Sequence, residues 1–170
     1  MRIRADTIPS EKKKTQVLCA FCFEDENTPI GLGKFNKKID QIVSQSVKEI
    51  KGKKNKIAII HSHKNIPAER VLIAGIGKKN KITSDVIRDV AGNITKKIHD
   101  LGIKEFTIIV PNKSSIKISQ TISAIVEGAN LSLYDFDLFR REKSNKNQPD
   151  LSLLTSEKNA QNIIKNSIIV

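Results

Sequence analysis

The sequence predicts an α/β sandwich with helices on both faces of one sheet, and three observations carry that prediction. Residues 16–24 read QVLCAFCFE, a near-continuous apolar run of the kind found where a strand is covered on both sides. Apolar runs alternate along the chain with segments of helical periodicity. Between Arg70 and Val110 a strand-like run (RVLIAGIG), a long amphipathic pattern and a second strand-like run (FTIIV) follow one another, the layout of a right-handed parallel βαβ unit.

The elements can be justified in order. MRIRA is a short strand, followed by a lysine-rich turn holding Pro9. After QVLCAFCFE, a break at Pro29, Gly31 and Gly33 leads to a helix marked by Phe35, Ile39, Ile42, Val43, Val47 and Ile50 on one face. A basic turn around Gly52 precedes the strand KIAIIH, and Pro67 separates that strand from RVLIAGIG. The next helix has the clearest boundaries. Thr83 or Ser84 can cap it, Asp85 favours its positive end, and Val86, Val90, Ile94 and Ile98 recur every four residues. Lys96, Lys97 and His99 suit the negative end, and Gly102 stops it. After FTIIV a further helix carries Ile118, Ile122, Ile125, Val126 and Ala129, with Asp135 and Asp137 expected beyond its end.

These elements divide the chain into a body over residues 1–139, a polar connector over 140–150 (RREKSNKNQPD), and a last segment over 151–170. The last segment reads as one strand, LSLLT, and the start of a helix that ends on Ile168, Ile169 and Val170. An apolar cluster at that position is expected either to lead into further chain or to pack back on the body.

Composition narrows the functional classes. A chain of 170 residues is long enough for one domain with its own core. No run approaches the ~18 apolar residues of a membrane span. MRIRADTIPSEKKK lacks the apolar stretch of a secretory signal, so a cytoplasmic location without membrane partners is expected. Thirty Lys and Arg against 18 Asp and Glu give a formal net charge of +12, with lysines clustered at 12–14, 51–56 and 78–81. A polyanion could be held by such a surface through counterion release. Aromatic residues are only 4% of the chain, however, and nucleic-acid surfaces commonly interleave aromatics or arginines with their lysines. A solvated basic surface is the expectation, with nucleic-acid binding the weaker alternative.

Two motifs could carry chemistry. Gly75, Gly77 and Lys78 form a Gly-x-Gly-Lys turn between strand and helix, a candidate phosphate cradle. The P-loop template fails, because Leu72 stands at its first glycine and Lys79 at its hydroxyl. The dinucleotide template fails because Asn80 replaces the third glycine. Residues 78–83 (KKNKIT) also separate the glycines from the helix start, so a strand-to-helix turn is the expected role. Cys19, Cys22, His61 and His63 are the candidate zinc ligands. On a strand, residues three apart face opposite ways, so both cysteines are expected to be buried small hydrophobes.

Two segments taken together resemble a known family. IAGIGKKNKIT with its helix, followed by ISAIVEGANLSLYDFDLFRREK, is similar to the N-terminal domain of the leucyl aminopeptidases, or cytosol aminopeptidases. The resemblance rests on the Gly-x-Gly-Lys turn before a Thr-initiated helix, on Glu127, Gly128 and Leu131, on Tyr134 and Phe136, and on the basic stretch Arg140–Lys143. The helix with Ile39 and Asp40 and the turn at Gly52 and Lys53 fit the same order. Asp135 departs from the family's basic residue, and Leu138 and Phe139 replace a basic residue plus tyrosine.

The resemblance implies a three-layer α/β/α sandwich with a mixed, largely parallel, macro-domain-like sheet. It also implies that peptidase chemistry lies in a C-terminal domain of the same polypeptide, with two divalent metals (zinc or manganese) and a hexameric parent. No catalytic residue is expected in this chain. A paired-metal site needs converging carboxylates, whereas Glu24, Asp25 and Glu26 cluster in a turn and Glu127 reads as a carboxylate fixing the turn after its helix. A scaffold, assembly and access role follows. The alternative of another class is a free-standing macro-like module holding ADP-ribose or another phosphate ligand.

Overall fold

The structure, a computed structural model, describes residues 1–139 and 148–168, apart from the side chains of 135–139. The basic stretch Arg140–Lys143, most of the polar connector, the side chains of Phe136, Leu138 and Phe139, and the terminal Ile169 and Val170 therefore lie outside the described residues.

Six strands and four α-helices form among the described residues: β1 (Ile3–Asp6), β2 (Thr15–Cys22), α1 (Lys37–Ile50), β3 (Ile57–His61), β4 (Ala68–Gly75), α2 (Ser84–Asp100), β5 (Glu105–Ile109), α3 (Ile118–Phe139), β6 (Asp150–Leu154) and α4 (Ala160–Ile168). The strands make one sheet in the order β1-β6-β5-β2-β4-β3. All neighbours run parallel except β3, which pairs antiparallel with β4. The mixed, largely parallel sheet is thus the one expected.

Alternation along β2 sorts the core into two layers. Val17, Cys19 and Phe21 join the larger cluster with α2, α3 and α4, whereas Cys22 packs with Ile39, Val43 and Val47 of α1. Leu18 and Ala20 lie with Ile109 and Leu154 under Leu32 and Phe35, so part of the second face is roofed by a loop and not by a helix. Phe35 precedes α1 instead of belonging to it. Asn36 is the cap, its Oδ1 accepting from Ile39 N at 3.0 Å, and Asp40 Oδ1 accepts from Phe35 N at 3.0 Å. Thr83 caps α2, its Oγ1 accepting from Val86 N at 3.2 Å. His99, in the last turn of α2, is buried.

β4, α2 and β5 form the expected parallel βαβ unit, with β2 lying between its two strands. One helix boundary is corrected. α3 runs to Phe139, so Asp135 and Asp137 are within the helix and not after it. In the last segment β6 is inserted between β1 and β5, and Ala160 and Ile164 of α4 are buried in the larger cluster. Residues 150–168 therefore complete the same core as residues 1–139. The cause is sheet topology: β1 can join the sheet only through β6.

Candidate functional site

The Gly75–Gly77 turn ends β4, where a phosphate cradle would need free amides. Those amides are engaged. Gly75 N donates to Lys56 O at 2.8 Å, Ile76 N to Cys22 O at 3.0 Å, and Gly77 N to Gly52 O at 3.0 Å. The next turn is occupied by the chain's own acids: Asp25 Oδ1 accepts from Lys79 N at 3.2 Å, and Glu26 Oε1 pairs with Lys79 Nζ at 3.1 Å. A Cβ placed on Gly75 would stand 2.1 Å from Lys53 O. Glycine is needed there because two backbones touch. The turn locks the loop at Gly52 to the end of β4, and it brings the lysines of 51–56 beside those of 78–81.

The four candidate zinc ligands do not converge. Cys19 and Cys22 are buried on opposite faces of β2, in different clusters. Burial pushes both thiols up, Cys22 to about 11 with Glu26 adding to the effect, and Cys19 further. Neither favours the thiolate a metal requires. His61 and His63 are exposed, with ring centroids 6.2 Å apart. His61 pairs with Arg70, which lies level with Val17, whereas Cys22 lies level with Gly75. Five strand residues separate those levels, about 16 Å. Among the described residues no three His, Cys, Asp or Glu side chains come together to hold an ion. The described residues therefore offer no donor set for a paired-metal centre, which the resemblance places in a C-terminal domain.

Glu127 does not fix a following turn, because α3 continues past it. Its Oε2 accepts from Arg88 Nε of α2 at 2.8 Å, and Arg88 also pairs with Asp85. Both acids raise the arginine's affinity for its proton, Glu127 most. One residue on, a Cβ at Gly128 would stand 2.1 Å from Arg88 O. The pair Glu127-Gly128 thus serves the α2–α3 crossing, one residue by charge and the other by having no side chain.

One cavity lies away from all of these residues. A cleft of about 660 Å³ opens at the carboxyl ends of β1, β5 and β6, floored by Ile109 and Leu154 and edged by Ile8, Asn112, Ile116 and Lys158. Open α/β sheets commonly place ligands at strand ends. Sequence reading missed this cleft because its walls come from four separated segments, none with a motif. Ser10 at its margin is already engaged, accepting from Gly33 N at 2.8 Å and donating to Gly31 O at 3.3 Å.

Comparisons with known proteins agree with one another. The model of the cytosol aminopeptidase family, N-terminal domain, matches residues 19–143. A probable cytosol aminopeptidase of Cenarchaeum symbiosum is 35% identical over 167 residues, which are 98% of this chain and 33% of that protein. Another, from Nitrosococcus oceani, is 27% identical over 93% of this chain and 33% of its own. The chain therefore spans about a third of the length of these relatives. Among solved structures, a tomato leucine aminopeptidase mutant superimposes with a TM-score of 0.74 at 16% identity, covering 99% of this chain and 35% of that one. An Oceanobacillus iheyensis macrodomain with ADPR superimposes with a TM-score of 0.64 at 9% identity, covering 98% of this chain and 90% of that one. At these identities the structural likenesses establish the fold alone. No helix among the described residues is long and apolar enough to cross a membrane.

Proposed function

The chain belongs to the cytosol aminopeptidase family, whose N-terminal domain it matches, and from that premise we propose that it is the non-catalytic N-terminal domain of a metal-dependent leucyl aminopeptidase. The parent enzyme releases N-terminal amino acids from peptides in the cytoplasm, with bulky apolar residues such as leucine preferred. Its two divalent metals, zinc or manganese, are held by a C-terminal peptidase domain of the same polypeptide. This domain supports that one, takes part in assembly of a homo-oligomer of hexameric type, and limits access to the active sites.

The observation that carries the reading is the share of length: the chain aligns over nearly its whole extent with one third of a probable cytosol aminopeptidase. The described residues add support from chemistry. Asp25 and Glu26 are engaged with Lys79, and Asp85 and Glu127 with Arg88, so these acids do not converge on a common point.

The test is peptidase assay of two polypeptides. The 170-residue chain, incubated with leucine p-nitroanilide and Mn²⁺ or Zn²⁺, is expected to release no nitroaniline. The polypeptide continued through a carboxylate-rich domain is expected to release it. Turnover by the 170-residue chain alone would overturn the proposal.

A further inference from the structure

The outer face of α3 presents an apolar patch that the other described residues leave exposed. Ile122, Ile125, Val126 and Ala129 point into the core and are fully buried. At 3.6 residues per turn, Gln120, Ser123, Glu127, Leu131 and Tyr134 fall within about 80° of arc on the opposite side. Glu127 is engaged with Arg88, and Ser123 Oγ accepts from Ser167 Oγ of α4 at 2.9 Å. Further along the stripe, Leu131 is 54% and Tyr134 63% exposed, the two most exposed large apolar side chains among the described residues. Tyr134 is also the chain's one tyrosine. Leucine and tyrosine a helical turn apart in solvent contribute nothing to the interior. Tyrosine in particular is a residue that interfaces concentrate.

What covers the patch is indicated by where the chain goes. The last described helix, α4, ends against Ser123 on this same stripe, with Ile168 itself 48% exposed. Relatives of this chain are three times its length. Continued chain would emerge beside the stripe, with Tyr134 only about 17 Å along the helix axis at 1.5 Å per residue. A domain attached at that point lies within reach of both side chains without a spanning linker.

We propose that the outer stripe of α3, with Leu131 and Tyr134 at its centre, is the surface on which the peptidase domain of the same polypeptide docks. This rests on the aminopeptidase reading above. It adds to that reading the surface and its anchors: an apolar leucine–tyrosine pair flanked by the Arg88–Glu127 ion pair, facing an apolar patch on the partner domain.

Nitration of Tyr134 by tetranitromethane, followed by peptide mass spectrometry, tests it. In the 170-residue chain Tyr134 is expected to react at the rate of an exposed tyrosine. In the polypeptide continued through the peptidase domain the same residue is expected to react at least tenfold more slowly. Equal rates in the two would overturn the docking surface while leaving the aminopeptidase reading intact. Protection that appears in the 170-residue chain as its concentration rises would also overturn it, assigning the patch to a second copy. A reading frame with no peptidase domain beyond residue 170 would overturn both readings together.

Discussion

Asp6 and Lys13 illustrate how much one residue's environment can depart from its appearance in sequence. Lys13 lies in a lysine cluster, the pattern of a solvated surface. Its side chain is only 9% exposed, and its Nζ is 2.8 Å from Asp6 Oδ2. Asp6 also accepts from the amides of Thr7 and Ile8 through Oδ1. The hydrogen bond from Lys13 holds the Asp6 carboxyl below its ordinary value, with the two amides adding to the effect and burial opposing it. A depressed folded-state value means that the contribution to stability is present above the unfolded value, near 3.9, and is lost as pH falls through the folded one. Asp6→Asn is therefore expected to cost about 2–3 kcal/mol at pH 7, because it leaves a buried ammonium without its partner. That deficit should shrink at pH 3, below the unfolded value, where the unfolded wild-type chain takes up a proton at Asp6 that the folded state resists. Urea denaturation of both proteins at the two pH values measures it, and an equal deficit at both would contradict the assignment.

At the scale of elements, the crossing of α2 and α3 organises the larger core layer. Gly128 meets the backbone of Arg88, Gly92 lies 3.1 Å from Gly128 O when given a Cβ, and Arg88 reaches Glu127 across the join. Backbone cannot yield as a flexible side chain can. Gly128→Ala must therefore push the two helices apart and is expected to destabilise by about 2–3 kcal/mol, in the range of overpacked cores. A lowered denaturant midpoint at unchanged slope would record it. A variant as stable as the wild type would show that the helices separate at no cost. Helix periodicity was legible at this scale, as were the caps of α2. The crossing itself was not, since nothing in EGANL states which helix its glycine will touch.

At the scale of the whole molecule, the sheet ties residues 150–154 to strands that lie within residues 1–139. β6 is an internal strand, paired through residues 151–154 with β1 and through 150–154 with β5. A chain cut after Phe139 loses the partner of β1 and exposes one edge of β5, together with apolar surface that α4 buries. Such a chain is expected to lose cooperative thermal unfolding, measured by circular dichroism, whereas residues 1–168 retain it. Cooperative unfolding of residues 1–139 at an unchanged midpoint would contradict the role given to β6.

The sequence by itself determined the class of fold, the identity of most elements and the burial of the two cysteines. Each follows from local periodicity: alternation on a strand sends Cys19 and Cys22 to opposite faces whatever surrounds them. The resemblance of the Gly-x-Gly-Lys turn and the Glu127–Tyr134 segment to the aminopeptidases was likewise present in the order of residues. Tertiary structure alone decided that β6 enters between β1 and β5, that the amides of the glycine turn are already engaged, and that Lys13 is buried. It also placed a cleft where four distant segments meet and left Leu131 and Tyr134 facing outward. These are contacts between residues far apart in the chain, and which partners meet depends on the global packing of the sheet rather than on any local preference.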